Sequence, residues 1–220
     1  MKVMVISPHP DDETLGCGAT LLKHKKNKDK VFWLNVTKAE VNSGYSAKFL
    51  KKREIEIKKV RTNYKFDGYI NLNFPTKFLD QIPKSKLIDS FNLYINKIKP
   101  DKIFIPSNSD IHSDHKIVFS ICQNFTKSFR YPFIKKILAY ETISETNFNF
   151  TNRNQFNPNV FEDVTIFMDK KINIMKIYKS EIKKHPFPRS IDSIKSLGIL
   201  RGSQAGFKYA EAFELIKEKI

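Results

Sequence analysis

Apolar residues along this chain come in short runs separated by polar breaks, and their spacing alternates between two periods. "KVMVIS" (residues 2–7) and "KVFWLNVT" (30–37) are rich in β-branched and aromatic residues and too short for helices, so they predict strands. Between them, "TLGCGATLLKHKKNK" (14–28) repeats its apolar residues at helical spacing, which makes the opening a strand, helix, strand unit. The alternation continues with a helix from about Ala47 to Asn63 and a strand at "GYINL" (68–72). An amphipathic helix follows, with Leu87, Ile88, Phe91, Tyr94, Ile95 and Ile98 on one face, and then the strand "KIFIPS" (102–107). "NSDIHSDHKIVFSICQNF" (108–125) is a polar loop opening into a further helix, and "IKKILAYE" (134–141) a further strand.

Beyond that point the pattern loosens. Residues 142–159 are rich in Asn, Thr and Ser without apolar periodicity and predict a long surface loop. "VFEDVT" (160–165) predicts an edge strand, residues 167–184 a helix, "HPFPRS" (185–190) a rigid turn, and the remainder a mainly helical tail. The sum is an α/β protein, a mostly parallel sheet flanked by helices on both faces, with its binding edge at the carboxyl ends of the strands.

At 220 residues the chain has the length of one well-buried domain, 1–220. No apolar run approaches the roughly 18 residues of a membrane span, and the first strand is too short for a secretory core. Cys17 and Cys122 stand far apart without a paired-cysteine motif, so neither a disulfide framework nor a thiolate zinc cage is expected. A cytoplasmic setting fits these features.

A formal charge of +16 raises the question of nucleic acid, because basic surfaces attract phosphate backbones. Only six of the 39 basic residues are arginine (Arg53, Arg61, Arg130, Arg153, Arg189 and Arg201), and the lysines are scattered along the whole chain. That distribution predicts a solvated lysine surface and no nucleic-acid partner.

Two polar clusters carry the candidate chemistry. The first, "PHPDDET", leaves the first strand for a helix; the second, "DIHSDH", also lies between a strand and a helix. Parallel strands would bring both loops to one edge. Three of the five histidines, His9, His112 and His115, lie in them, whereas His24 sits among lysines and is expected to be solvated. Imidazole with carboxylate is the ligand set of a catalytic zinc, and His9, Asp12 and His115 would supply it. Such a set also suits iron, cobalt or manganese. Asp11, next to a ligand but aimed elsewhere, would accept a proton from water. His112 would steady an oxyanion or protonate a leaving amine, with Asp114 holding its ring and raising its pKa. Glu13 and Thr14 are placed to cap the helix start.

"PHPDDETLGCG" and "DIHSDH" resemble the two signatures of the PIG-L or LmbE-like zinc-dependent de-N-acetylases, and "RGSQAGFKYAEAF" (201–213) resembles that family's carboxyl-terminal block. The likeness spans the domain and implies a Rossmann-like fold. It also implies a hydrolase that removes acetate from an N-acetylated sugar of the N-acetylglucosamine type. On matching positions it makes His9, Asp12 and His115 the Zn2+ ligands, Asp11 the general base, and His112 with Asp114 the pair serving oxyanion and leaving group. Arg53, in "KKREIEIKKV", matches a substrate-binding arginine, although a solvated arginine on a basic helix is the competing reading. The wording of the second motif, "FNPNVFEDVT" and "HPFPRS" resembles family members of bacterial surface-polysaccharide pathways. Family members also include homo-oligomers. His185 and Arg189 of "HPFPRS" would either reach the pocket or serve the turn alone. The alternative functions are a zinc-dependent hydrolase of a non-sugar amide and a noncatalytic basic binding module.

Overall fold

The computed structural model describes residues 1–151 and 154–220. In chain order the strands are β1 (Lys2–Ser7), β2 (Lys30–Lys38), β3 (Gly68–Pro75), β4 (Lys102–Pro106), β5 (Lys136–Tyr140), β6 (Val160–Asp163) and β7 (Ala210–Glu218). The helices are α1 (Asp12–Lys26), α2 (Ala47–Tyr64), α3 (Lys84–Ile98), α4 (Ser113–Cys122), α5 (Met168–Met175) and α6 (Ile191–Ala205). The strands form one sheet in the order β3-β2-β1-β4-β5-β7-β6. The first five are parallel, and β7 runs antiparallel between β5 and β6.

The central strands are apolar throughout because both of their faces are covered. In β1, Val3 and Val5 enter the core beneath α1, α5 and α6, while Met4 and Ile6 enter the opposite core with Leu87 and Phe91 of α3 and Val118 and Ile121 of α4. The expected mostly parallel sheet with helices on both faces is thus the observed one. Among the described residues no helix is long and apolar enough to cross a membrane.

The glycines of α1, unfavourable in a helix interior by about 1 kcal/mol each, are explained by close packing. A Cβ at Gly16 would lie 2.1 Å from the Tyr140 ring, and one at Gly18 2.4 Å from the Tyr64 hydroxyl. The helix kinks at Cys17 (φ −142°). The amides of Ala19 and Thr20 donate to the Glu211 carboxylate at 2.9 and 2.7 Å. Buried Lys171 donates to that carboxylate at 2.7 Å and to the Leu15 carbonyl at 2.8 Å. A charge pair thereby satisfies the backbone groups that the kink releases.

Three expectations are corrected. The tail after α6 is strand β7 and not helix, although its Ala, Glu, Leu and Lys favour helix; insertion between β5 and β6 overrides that preference and delivers Glu211 to α1. The helix expected over 167–184 is α5 and ends at Met175, which frees Tyr178 to reach Glu13 and the Lys179 amide to reach Glu56. His24 is buried and not solvated, with Nδ1 2.7 Å from Asp29 and Nε2 3.4 Å from Lys102. The expected edge strand is β6, and the long loop carries, among the described residues, one 3-10 turn, Thr146–Phe148; its Arg153 lies outside the described residues.

Candidate active site

Parallel pairing of β1 with β4, Val3 opposite Lys102 and Val5 opposite Phe104, sends the loops that leave both strands to the same edge of the sheet. His9 and Asp11 lie in the first loop and Asp12 opens α1; Asp110 and His112 lie in the second, with Asp114 and His115 in the first turn of α4. Residues a hundred positions apart therefore meet.

Their meeting is tight. His9 Nδ1 lies 3.2 Å from His115 Nε2, and Asp12 Oδ2 lies 3.4 Å from the first and 3.2 Å from the second. Each imidazole turns its other nitrogen to a carboxylate: His9 Nε2 donates to Asp114 Oδ2 at 2.9 Å and His115 Nδ1 donates to Asp110 Oδ2 at 2.6 Å. With those protons committed outward, two nitrogen lone pairs and a carboxylate oxygen converge on one point. Ligand atoms bound tetrahedrally at zinc distances stand about 3.3 Å apart, so this set fits a divalent metal. A second grouping, His9, His112 and His115, keeps its ligand atoms within 4.8 Å of one another. The triangle with Asp12 is the tighter of the two and the one that supplies negative charge.

The electrostatics agree. Burial opposes a charge on His9, yet hydrogen bonds to Asp114 and Asp12 raise its pKa to about 9. His115, equally disfavoured by burial, is raised by Asp12 and Asp110. The carboxylates that attract a proton to these rings would attract a cation there.

Asp11 stands apart from the triangle with backbone φ 127°, a conformation that strains a non-glycine residue. Glu13 holds it there, accepting from the Asp11 amide at 2.9 Å. Glu13 is not a solvated cap: it is fully buried, takes hydrogen bonds from Thr14 and Tyr178, and burial lifts its pKa to about 7. The Asp11 carboxylate accepts from Arg189 Nη1 at 2.8 Å. Burial and the charge of Asp12 push its pKa well up, against the pull of Arg189.

The expected pairing of His112 with Asp114 is corrected. The Asp114 carboxylate serves His9 and the amides of Lys77 and Leu79. His112 instead caps α4, its Nδ1 accepting from the Asp114 amide at 3.1 Å. Nδ1 being an acceptor, the proton of the neutral ring sits on Nε2. The pKa of His112 is lowered to about 4 and not raised, because partial burial and the neighbouring His9 and His115 outweigh Asp114.

Arg53 is buried and not solvated. Its guanidinium donates to the Pro10 carbonyl at 3.0 Å and to Ser180 at 2.9 Å, and pairs closely with Glu181. Glu181 also accepts from Arg189 at 3.0 Å, so a chain of alternating charge runs Arg53, Glu181, Arg189, Asp11. Arg189 of "HPFPRS" thus reaches the site, whereas His185 borders a separate cleft with Thr142 and Leu197. Glu181 and the bond from Asp110 to His115 were missed in the sequence; the signal for the latter was a carboxylate five residues before a candidate ligand. His9, Asp11, Asp12, His112 and His115, with Arg53, Glu181 and Arg189, line a cavity of about 770 Å³.

Comparison with known proteins places the chain among deacetylase-like folds. It is 22% identical over 238 residues to the diacetylchitobiose deacetylase of Thermococcus kodakarensis, covering 98% of this chain and 83% of that protein. The structure of N,N'-diacetylchitobiose deacetylase from Pyrococcus horikoshii with its inhibitor superposes with a TM-score of 0.77 at 19% identity, covering 98% and 83% of the two chains. GalB, the 4-carboxy-2-hydroxymuconate hydratase of Pseudomonas putida KT2440, matches with a TM-score of 0.77 at 14% identity over 100% and 97%. The fold alone therefore leaves the reaction open. Residues 4–126, more than half of the chain and including both polar loops, match the family model described as PIG-L, GlcNAc-PI de-N-acetylase, and the chain belongs to that family.

Proposed function

We propose that this protein is a metal-dependent hydrolase that removes acetate from an N-acetylated sugar. The observation that carries the reading is the triangle of His9 Nδ1, Asp12 Oδ2 and His115 Nε2 with Asp11 beside it. His9, Asp12 and His115 would hold a divalent ion, Zn2+ in our reading, which when bound would supply Lewis acidity for polarising the acetyl oxygen and activating water near neutral pH.

The protein's own residues supply the rest. Asp11 takes the proton of the attacking water and returns it to the departing nitrogen, and its strained backbone fixes the carboxylate outside the ligand triangle. His112, neutral with its proton on Nε2, donates a hydrogen bond to the oxyanion of the tetrahedral intermediate. Asp114 orients His9, and Asp110 orients His115. Arg53 and Arg189, on the wall beside the Pro10 carbonyl and Asp11, bind sugar hydroxyls or hold Asp11 in place. The catalytic assignments are Asp11 and His112, with Asp114 moved from serving His112 to positioning the ligand His9.

Acetate release from N,N'-diacetylchitobiose and other N-acetylglucosamine derivatives, followed against metal content, tests the reading. Release that rises with bound metal and collapses in Asp11→Asn supports it. One equivalent of bound metal without release from any sugar would instead favour an amide hydrolase of another substrate class, which a panel of non-sugar N-acyl compounds would identify.

A further inference from the structure

Asp11 keeps a strained backbone beside the ligand triangle, so its surroundings must hold it there. The short stretch "YKSE" (178–181), which follows α5, reaches it by three routes. Tyr178 Oη donates to Glu13 Oε1 at 3.0 Å, and Glu13 in turn accepts from the Asp11 amide at 2.9 Å. Ser180 Oγ accepts from Arg53 at 2.9 Å, and Arg53 donates at 3.0 Å to the carbonyl of Pro10, one residue before Asp11. Glu181 Oε2 accepts at 3.0 Å from Arg189 Nη1, the same nitrogen that donates to Asp11 Oδ2 at 2.8 Å. The backbone and the side chain of Asp11 are thus both gripped from one stretch of chain.

Glu181 is the centre of this grip. Its two carboxylate oxygens are divided between two cations, Oε1 pairing with Arg53 and Oε2 with Arg189. Guanidiniums that share one carboxylate stand close enough to repel each other in a partly buried site, and the negative charge between them is what keeps both in place. The remaining donors are engaged as well. Arg189 Nε donates to Ser144 at 2.7 Å and its Nη2 faces Glu145 at 3.6 Å, while Arg53 Nε faces Glu56 at 3.5 Å. A planar fork fixed in this way holds a carboxylate in one orientation, which a flexible ammonium would not.

We propose that Glu181 is a positioning residue for Asp11, holding Arg189 on the Asp11 carboxylate and Arg53 on the Pro10 carbonyl. The proposal rests on the reading of Asp11 as the general base of a sugar N-deacetylase. It goes beyond that reading by giving Glu181 a role and by assigning both arginines to Asp11 and not to sugar hydroxyls.

The test is a double-variant cycle in metal-loaded protein: wild type, Glu181→Gln, Arg189→Gln and the two changes together, with acetate release from N,N'-diacetylchitobiose and bound metal measured in each. Gln matches Glu in shape at a partly exposed position, so the fold is expected to survive, as circular dichroism would report. Should it not, Glu181→Asp, too short to bridge both arginines, is read by the same criteria. Glu181→Gln should lose about 10- to 100-fold in kcat, the scale of a small misplacement of a reacting group, with KM changed less than about twofold and one equivalent of metal retained. The double variant should be scarcely slower than Arg189→Gln, because Glu181 acts through that arginine. Unchanged kcat in Glu181→Gln, an effect on KM alone, loss of metal, or losses that multiply in the double variant would each overturn the proposal. If the wild type releases acetate from no N-acetylglucosamine derivative, the deacetylase reading has failed, and crystal structures of the wild type and Glu181→Gln decide the positioning alone. Departure of Arg189 from Asp11, or a relaxed Asp11 backbone, in the variant supports it; unchanged contacts overturn it.

Discussion

Asp110 Oδ2 accepts a hydrogen bond from His115 Nδ1 at 2.6 Å inside a fully buried pocket, and this bond turns Nε2 of the ring toward His9 and Asp12. Asp110 is itself held, through the Thr146 hydroxyl from the long loop after β5. Removing such an outer partner of a histidine ligand typically weakens metal binding 10- to 100-fold. Asp110→Asn is expected to lose metal in that range in a chelator competition, with activity largely restored at saturating metal. Unchanged affinity would mean that His115 is oriented by other contacts.

The two candidate ligand sets make opposite predictions for His112. With Asp12 as third ligand, His112→Ala keeps one equivalent of metal and loses about 100- to 1,000-fold in kcat, the size of one oxyanion donor. Asp12→Ala then loses the metal. Loss of metal from His112→Ala, with retention in Asp12→Ala, would assign the site to the three histidines. Asp11→Asn should keep its metal under either set and lose about 100- to 10,000-fold in rate.

Lys171 and Glu211 are a buried pair whose partners are backbone groups of α1. Removing one charge strands the other, so Lys171→Met should cost about 3–5 kcal/mol in urea unfolding. The double variant Lys171→Met, Glu211→Gln should recover part of that loss, because no uncompensated charge remains and an amide oxygen still accepts from Ala19 or Thr20. Additive losses would mean that the two residues act independently.

His24 couples stability to pH at the opposite edge of the sheet from the candidate metal site. Burial disfavours its imidazolium, and despite the opposing pull of Asp29 its pKa lies below the ordinary 6.5. Above pH 6.5 both folded and unfolded chains hold it neutral and it contributes nothing; below, the unfolded chain takes up a proton that the folded one resists, so stability falls. Asp29, held below its ordinary 3.8 by the amino terminus and His24 against its own desolvation, adds stability that is lost only as pH falls through that value. His24→Gln should therefore narrow the loss in urea midpoint between pH 7 and pH 5, compared with the wild type in the same metal-loaded state. An identical loss in both proteins would remove His24 from the account.

Much of this was legible in the chain. Strand and helix periods are local, so the alternating order from "KVMVIS" to "IKKILAYE" could be read, and in a parallel sheet that order sends the loops after "KVMVIS" and "KIFIPS" to one edge. The residue types in those loops then pointed to a candidate site of histidines and carboxylates. The sequence determined, by itself, a parallel core and a histidine-carboxylate centre at its carboxyl edge. Only the tertiary structure decided that Asp114 serves His9 while Asp110 serves His115, that Arg189 meets Asp11, and that "AEAFELIKE" is a strand. The reason is physical: which carboxylate meets which ring nitrogen depends on how α1 and α4 are rotated against the sheet. A segment able to form either helix or strand is settled by the vacant edge beside β5, and neither fact is written in any local run of residues.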